Sequence, residues 1–136
     1  MKLVINTDGG SRGNPGPAAI GYVIKDETGK LLAADGQYIG ETTNNQAEYQ
    51  AVVIAFEKAK ELGGTEIELN MDSELAVKQL LGEYKVKNQD LAQQFLKIWN
   101  LYNQFKKVKI NHVYREKNTE ADAQVNIALD KALKGE

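Results

Sequence analysis

The chain opens on an apolar run, Leu3-Val4-Ile5, that passes into Asn6-Thr7-Asp8 and then into a stretch rich in glycine and proline; residues 2–8 read as a strand ending there. Residues 18–26 (Ala-Ala-Ile-Gly-Tyr-Val-Ile-Lys-Asp) read as a second strand. Glu27-Thr28-Gly29-Lys30 forms a turn, and residues 31–39 a third strand. Short loops between these three predict an antiparallel meander. The period then changes. Ala47, Ala51, Ile54, Ala55, Ala59 and Leu62 recur at helical spacing over residues 45–62, with Thr43, Asn44 or Asn45 available as the cap and Gly63-Gly64 as the stop. Ile67, Leu69 and Met71 alternate with Glu66, Glu68 and Asn70 in a fourth strand over 66–71. Helices are predicted over 73–81 and 89–105, the second with a stripe of Leu91, Phe95, Ile98, Trp99 and Tyr102. A fifth strand follows over 108–114. Asn118 or Thr119 caps a last helix that ends and frays over 131–136.

Helical connections after the meander suit parallel pairing. The expected fold class is therefore α/β, a mixed five-stranded sheet with the first three strands antiparallel and helices on its faces. At 136 residues the chain fits one domain spanning 1–136, with no repeat or linker.

Composition narrows the chemistry. There is no cysteine, which removes disulfides, zinc–thiolate sites and cysteine nucleophiles and fits a reducing, cytoplasmic setting. The apolar start is too short for a signal peptide, and no apolar stretch has the roughly 20 residues a membrane span needs. The net charge of −2 gives no overall basic footprint. Local clusters do exist, at Lys85/Lys87 and at Lys106/Lys107/Lys109 with Arg115/Lys117.

Of 19 acidic residues, four stand out by position. Asp8 ends the first strand, on a face with Val4 and Asn6. Glu48 lies in the first turn of the long helix, and its neighbours Val52 and Ala55 aim it at the buried side. Asp72 stands where the fourth strand meets a helix. Asp122 lies in the first turn of the last helix, near the stripe of Val125 and Leu129. Each has a plainer reading: a turn residue for Asp8, a helix cap for Asp72, a favourable helix dipole for Glu48 and Asp122. Strand ends and helix starts meet on one edge of an open α/β sheet, however, and four carboxylates gathered there repel unless cations sit among them. Oxygen-only ligation suits Mg2+ or Mn2+, and two such ions can clamp the attacking and leaving oxygens of a phosphodiester.

The motifs Thr7-Asp8-Gly9-Gly10-Ser11 with Gly13-Asn14-Pro15-Gly16, Thr43-Asn44-Asn45-Gln46-Ala47-Glu48-Tyr49, Met71-Asp72-Ser73 and Arg115-Glu116-x-Asn118-x-x-Ala121-Asp122 resemble, in order and over essentially the whole chain, those of type 1 ribonuclease H. The resemblance is to a compact form, without an N-terminal hybrid-binding domain and with 81–88 bridging directly where some relatives insert a basic helix. It implies an endoribonuclease that hydrolyses the RNA strand of RNA–DNA hybrids, leaving 5′-phosphate and 3′-hydroxyl ends. Asp8, Glu48, Asp72 and Asp122 would bind two divalent ions. Glu48 would also anchor a 2′-hydroxyl, the group that separates RNA from DNA. The match further implies substrate contacts from the Gly9, Gly10, Ser11, Arg12 and Gly13 backbone, from Asn14, Asn44 and Asn45 in the minor groove, and from Ser73. Thr43 and Asn88 would hold a DNA-strand phosphate, alongside their reading as helix caps. No membrane and no obligate protein partner are implied, and hybrid affinity should be modest and steeply salt-dependent.

Many members of that family carry a histidine in the loop before the last helix. Here the single histidine, His112, falls on the fifth strand with Val108, Ile110 and Tyr114 and reads as packed against neighbours. Arg115 is the expected electrostatic substitute, a phosphate contact that cannot serve as a base. Tyr84 reads either as a ring against the DNA backbone or as a cover over the core, and Trp99 as core. Three rival readings differ in what they require. A nucleotide-binding loop needs Gly-Lys-Ser/Thr before a helix, which is absent. A silent hybrid-binding module has no need of four mutually repelling acids. Double-stranded RNA, or resolvase and transposase chemistry, keeps the fold and changes the substrate.

Overall fold

In the computed structural model, which describes residues 1–134, the strands are β1 (Lys2–Ser11), β2 (Gly16–Asp26), β3 (Leu31–Thr42), β4 (Glu66–Met71) and β5 (Lys107–His112). The helices are α1 (Asn44–Glu61), α2 (Glu74–Leu80), α3 (Gln89–Tyr102) and α4 (Thr119–Leu133), with a 3-10 turn over Arg115–Lys117. The sheet order is β3-β2-β1-β4-β5. β1/β2 and β2/β3 pair antiparallel, β1/β4 and β4/β5 parallel. The expected mixed five-stranded sheet is thus found. Gly135 and Glu136, part of the expected frayed end, lie outside the described residues.

Alternation along β1 sorts its side chains cleanly. Leu3, Ile5, Thr7 and Gly9 are buried, while Val4, Asn6 and Asp8 are half-buried on the other face. Leu3 and Ile5 join Ile67, Leu69 and Met71 of β4 in the main core, against Val52, Ala55, Phe56 and Ala59 of α1. Phe56 meets the edge of Phe105 at 5.5 Å between centroids, so truncating Phe56 should cost about 3–5 kcal/mol. On the opposite face a smaller cluster of Ala19, Val125, Ala128 and Leu129 seats α4.

Two glycine features set how closely the helices approach. A Cβ on Gly9 would lie 2.3 Å from the Ala47 carbonyl carbon and 2.5 Å from the Glu48 nitrogen. Only glycine therefore lets the first turn of α1 rest on β1. Gly21 and Gly36 are paired across β2 and β3, and Asp8 is the β1 partner of Gly21. A Cβ on Gly21 would lie 2.4 Å from the Ala121 carbonyl oxygen, and one on Gly36 2.2 Å from that of Gln124. The pair is a trough that holds α4 with its first turn beside Asp8.

Several expectations need correcting. β1 does not stop at Asp8: Gly9, Gly10 and Ser11 continue it, paired with Ile20, Ala19 and Ala18, so the loop shrinks to the turn that follows Ser11. The third helix ends at Tyr102, and Phe105 drops from a turn into the core. β5 ends at His112, which is exposed rather than packed and lies edge-on to the Tyr114 ring, at 6.0 Å. Tyr84 is half exposed with Lys78 Nζ 5.1 Å from its ring centroid. Trp99 is half-buried, its ring 4.6 Å from that of Tyr102, on a surface stripe rather than in the core. No described helix is long and apolar enough to cross a membrane.

Candidate active site

The C-terminal half of β1, the end of β4 and the N-terminal turns of α1 and α4 converge at one edge of the sheet, and each brings one acid. Asp8 reaches it from β1, Asp72 from the residue after β4 and Asp122 from the first turn of α4; Glu48 comes from the second turn of α1, not the expected first, because the helix already starts at Asn44. Asp72 does not cap α2; Ser73 does, its hydroxyl accepting from the Ala76 N–H at 3.2 Å. Thr43 caps α1 in the same way, accepting from Gln46 N–H at 3.2 Å. The caps are therefore neutral, and the carboxylates are left over for something else.

Their environment is adverse to charge. Burial, then the Asp72 charge and a hydrogen bond shared with Asp122, push the Asp8 carboxyl up to about 8. Burial pushes Glu48 up to about 7, with the Ser73 hydroxyl pulling it back, Asp72 raising it further and the Arg115 guanidinium lowering it. Burial and the Glu48 charge drive the Tyr49 hydroxyl up to about 12. Glu48 Oε2 is buried with no hydrogen-bond partner. An orphaned carboxylate oxygen beside three further carboxylates is a costly arrangement unless a cation joins it. Among the described residues no three histidine, cysteine, aspartate or glutamate side chains stand as a ready-made ligand set. All-oxygen donors with one unpartnered buried oxygen nonetheless fit hard divalent ions such as Mg2+ or Mn2+.

Around the acids the glycine-rich segment is tied down. Asn44 Oδ1 accepts from the Ser11 N–H at 2.8 Å and from its hydroxyl at 3.1 Å, and Asn14 Oδ1 accepts from the Asn44 N–H at 3.0 Å. Both amides spend their oxygens on the protein and keep their NH2 groups without partners among the described residues. Arg12 is half-committed, its guanidinium 2.7 Å from Asp130. Asp8, Asp122, Arg115, Asn44 and the Gly9–Arg12 stretch line one cleft of about 260 Å3, so Arg115 does stand over the acids. His112 lies away from that cleft, in a groove with Glu74 and Lys78.

A larger cleft of about 650 Å3 lies alongside, between Asn14, Thr43–Gln46 and the start of α3. It brings Thr43 and Asn45 together with Asn88, which is far from them in sequence. Asn88 Oδ1 accepts from Asp90 N–H at 2.8 Å and Leu91 N–H at 3.1 Å, capping α3. The capping bonds use the oxygens of Thr43 and Asn88, so what each retains is a donor. Two neutral donors at helix starts suit an anion.

A family model described as reverse transcriptase-like matches residues 6–128. Ribonuclease HI of Halobacterium salinarum is 46% identical over 125 residues, 92% of this chain and 63% of that protein. The crystal structure of that archaeon's RNase H1 superposes with a TM-score of 0.94 at 43% identity, covering 96% of this chain and 99% of that one. The chain belongs to the ribonuclease H1 family. A second ribonuclease H1 structure, LC11-RNase H1 in complex with RNA/DNA hybrid, gives a TM-score of 0.92 at 48% identity over 96% of this chain and 99% of that one. A bifunctional protein of Mycobacterium tuberculosis is 44% identical over 133 residues, 97% of this chain. The chain spans only 36% of the length of that relative.

One residue of the ribonuclease H1 motifs has a role that the sequence reading does not give it. Asn118 is expected as a cap, but its side chain makes no capping bond to α4. It is 1% exposed and turned inward, its Nδ2 donating to the Thr7 carbonyl at 2.9 Å and to Asp72 Oδ2 at 3.2 Å. An asparagine directly before a helix carries the same signature in either role.

Proposed function

We propose that the chain is a metal-dependent endoribonuclease that cuts the RNA strand of RNA–DNA hybrids, leaving 5′-phosphate and 3′-hydroxyl ends. The observation that carries this reading is the gathering of Asp8, Glu48, Asp72 and Asp122 at one sheet edge, with Glu48 Oε2 buried and unpartnered. These four carboxylates would hold two Mg2+ or Mn2+ ions, which when bound supply activation of water and stabilisation of the leaving oxygen.

The chain's own groups do the rest. Glu48, at the floor of the substrate path, accepts from a 2′-hydroxyl and so selects RNA at that position. The NH2 groups of Asn14 and Asn44, with Asn45 beside them, donate to minor-groove acceptors. The Thr43 hydroxyl and the Asn88 NH2 donate to a phosphate of the DNA strand and fix the hybrid's register. Arg115 balances phosphate charge above the acids and, staying protonated, takes no part in proton transfer. Ser73 sits beside Glu48 and steadies it, and Arg12 exchanges Asp130 for phosphate as the hybrid docks.

Labelled RNA–DNA hybrid, double-stranded RNA and double-stranded DNA incubated with Mg2+, Mn2+ or EDTA test this. The reading expects divalent-dependent cutting of the hybrid's RNA strand. Binding of the hybrid without cutting in either metal would support a silent binding module, and equal cutting of double-stranded RNA would move the substrate class.

A further inference from the structure

Three asparagines stand in one row across the parallel half of the sheet. Asn6 of β1 is in register with Asn70 of β4, and Asn70 with Asn111 of β5. Their amides are joined: Asn111 Nδ2 donates to Asn70 Oδ1 at 3.1 Å, and Asn70 Nδ2 donates to Asn6 Oδ1 at 3.3 Å. Asn6 Nδ2 in turn donates to Asn118 Oδ1 at 2.9 Å. Asn118 ends the chain on Asp72 Oδ2 and the Thr7 carbonyl. The row starts at the sheet edge and finishes on a carboxylate of the acid site.

The direction of the whole array follows from its inner end. A backbone carbonyl only accepts, so Asn118 must present its NH2 to Thr7, and with it to Asp72, and its oxygen to Asn6. Asn6 must then donate, which leaves its oxygen to be met by Asn70, and the oxygen of Asn70 to be met by Asn111. A side-chain amide rotated at any link puts oxygen against oxygen at the next. Asn118 also bears on the other acids through its backbone, since its carbonyl accepts from the Asp122 N–H at 3.2 Å.

From these bonds we infer that Asn6, Asn70 and Asn111 are positioning residues: they lock the amide of Asn118 in the one orientation that holds Asp72 in place against the end of β1. None of the three lines the acid cleft. The inference rests on the reading of the acids as the reactive centre, and its effect reaches that centre only through Asn118.

Asn70→Val and Asn70→Thr test it. Both side chains are β-branched and suit a strand, but only threonine restores a donor toward Asn6 and an acceptor for Asn111. Hybrid cleavage and the side-chain NH2 signals of Asn118 in 15N-labelled protein are read together, the latter without substrate or metal. For Asn70→Val, kcat should fall about three- to tenfold with KM within about twofold, and Asn70→Thr should recover most of it. The Asn118 NH2 signals should shift and exchange faster with solvent in the valine variant alone. Equal kcat in the two variants, or Asn118 signals unmoved in Asn70→Val, would overturn the inference. A wild-type chain that cuts no hybrid would instead overturn the functional reading, and the Asn118 signals would still decide whether the row locks that amide.

Discussion

The two clefts beside the start of α1 are built in opposite ways. Around the first, like charges gather: Asp8 and Asp122 line it, Asp8 is lifted to about 8, and Glu48, raised by the same Asp72 charge, has Oε2 without a partner among the described residues. The neighbouring cleft contains Asn45 together with Thr43 and Asn88, whose oxygens already cap helices and which each retain a donor. The first is strained until cations arrive; the second is complete as folded. One is suited to chemistry and the other to grip, and substitutions should separate them by which kinetic constant they move.

The largest effect should come from Asp8→Asn, with kcat down by at least about a thousandfold. Removing one of the crowded charges should also raise Tm by about 3–5 °C at pH 8, for a gain near 1 kcal/mol. A variant that retains activity would break the distinction between the clefts at its root. Next in size, Thr43→Val and Asn88→Ala should each raise KM for the hybrid about three- to tenfold with kcat held. Loss of the Asn88 cap should cost about 1 kcal/mol of stability as well; a fall in kcat instead would mean the second cleft takes part in the reaction. Arg115→Ala should lower kcat by more than about threefold with little change in KM, and a smaller loss would sink its role as the substitute for a loop histidine. Smallest of all, Asp130→Ala should change stability by under about 1 kcal/mol, because the Arg12–Asp130 pair is exposed.

How much of this was legible in the residues depended on whether a signal had one meaning. Periodicity placed all nine main elements, because apolar spacing at 2 or 3.6 residues admits few alternatives. The acids were legible because each lies near a strand end or a helix start, although Asp8 is three residues inside β1. The glycines of 9 and 10 were misjudged as loop, since a glycine that permits close approach inside a strand looks the same as one that permits a turn. Gly21 and Gly36, the trough under α4, carried no local signal, as their pairing is a matter of register. Asn70 falls on the polar face of its strand with Glu66 and Glu68, Asn6 on a face with Asp8, and Asn118 reads as a cap, so none of them marks the row. Polar side chains whose partners lie more than 40 residues away cannot be told from surface by spacing. His112 was expected to be packed because it alternates with Val108 and Ile110, but its strand is at the sheet edge, where alternation does not guarantee cover.

The charge strain also has a sign. The Asp8 carboxyl is raised from 3.8 to about 8 and the Glu48 carboxyl from 4.5 to about 7, so the folded chain holds these protons more tightly than the unfolded one. Stability should therefore fall as pH rises from about 4, with the full penalty reached above about 8. The most direct measurement is the pH dependence of unfolding between pH 5 and about 8.5, for wild type and Asp8→Asn, with and without Mg2+. Wild type without Mg2+ should lose stability with rising pH, Mg2+ should restore it, and Asp8→Asn should be flatter and respond less to the ion. Curves for the two proteins that run parallel, with equal response to Mg2+, would contradict a cation-requiring site at these four carboxylates.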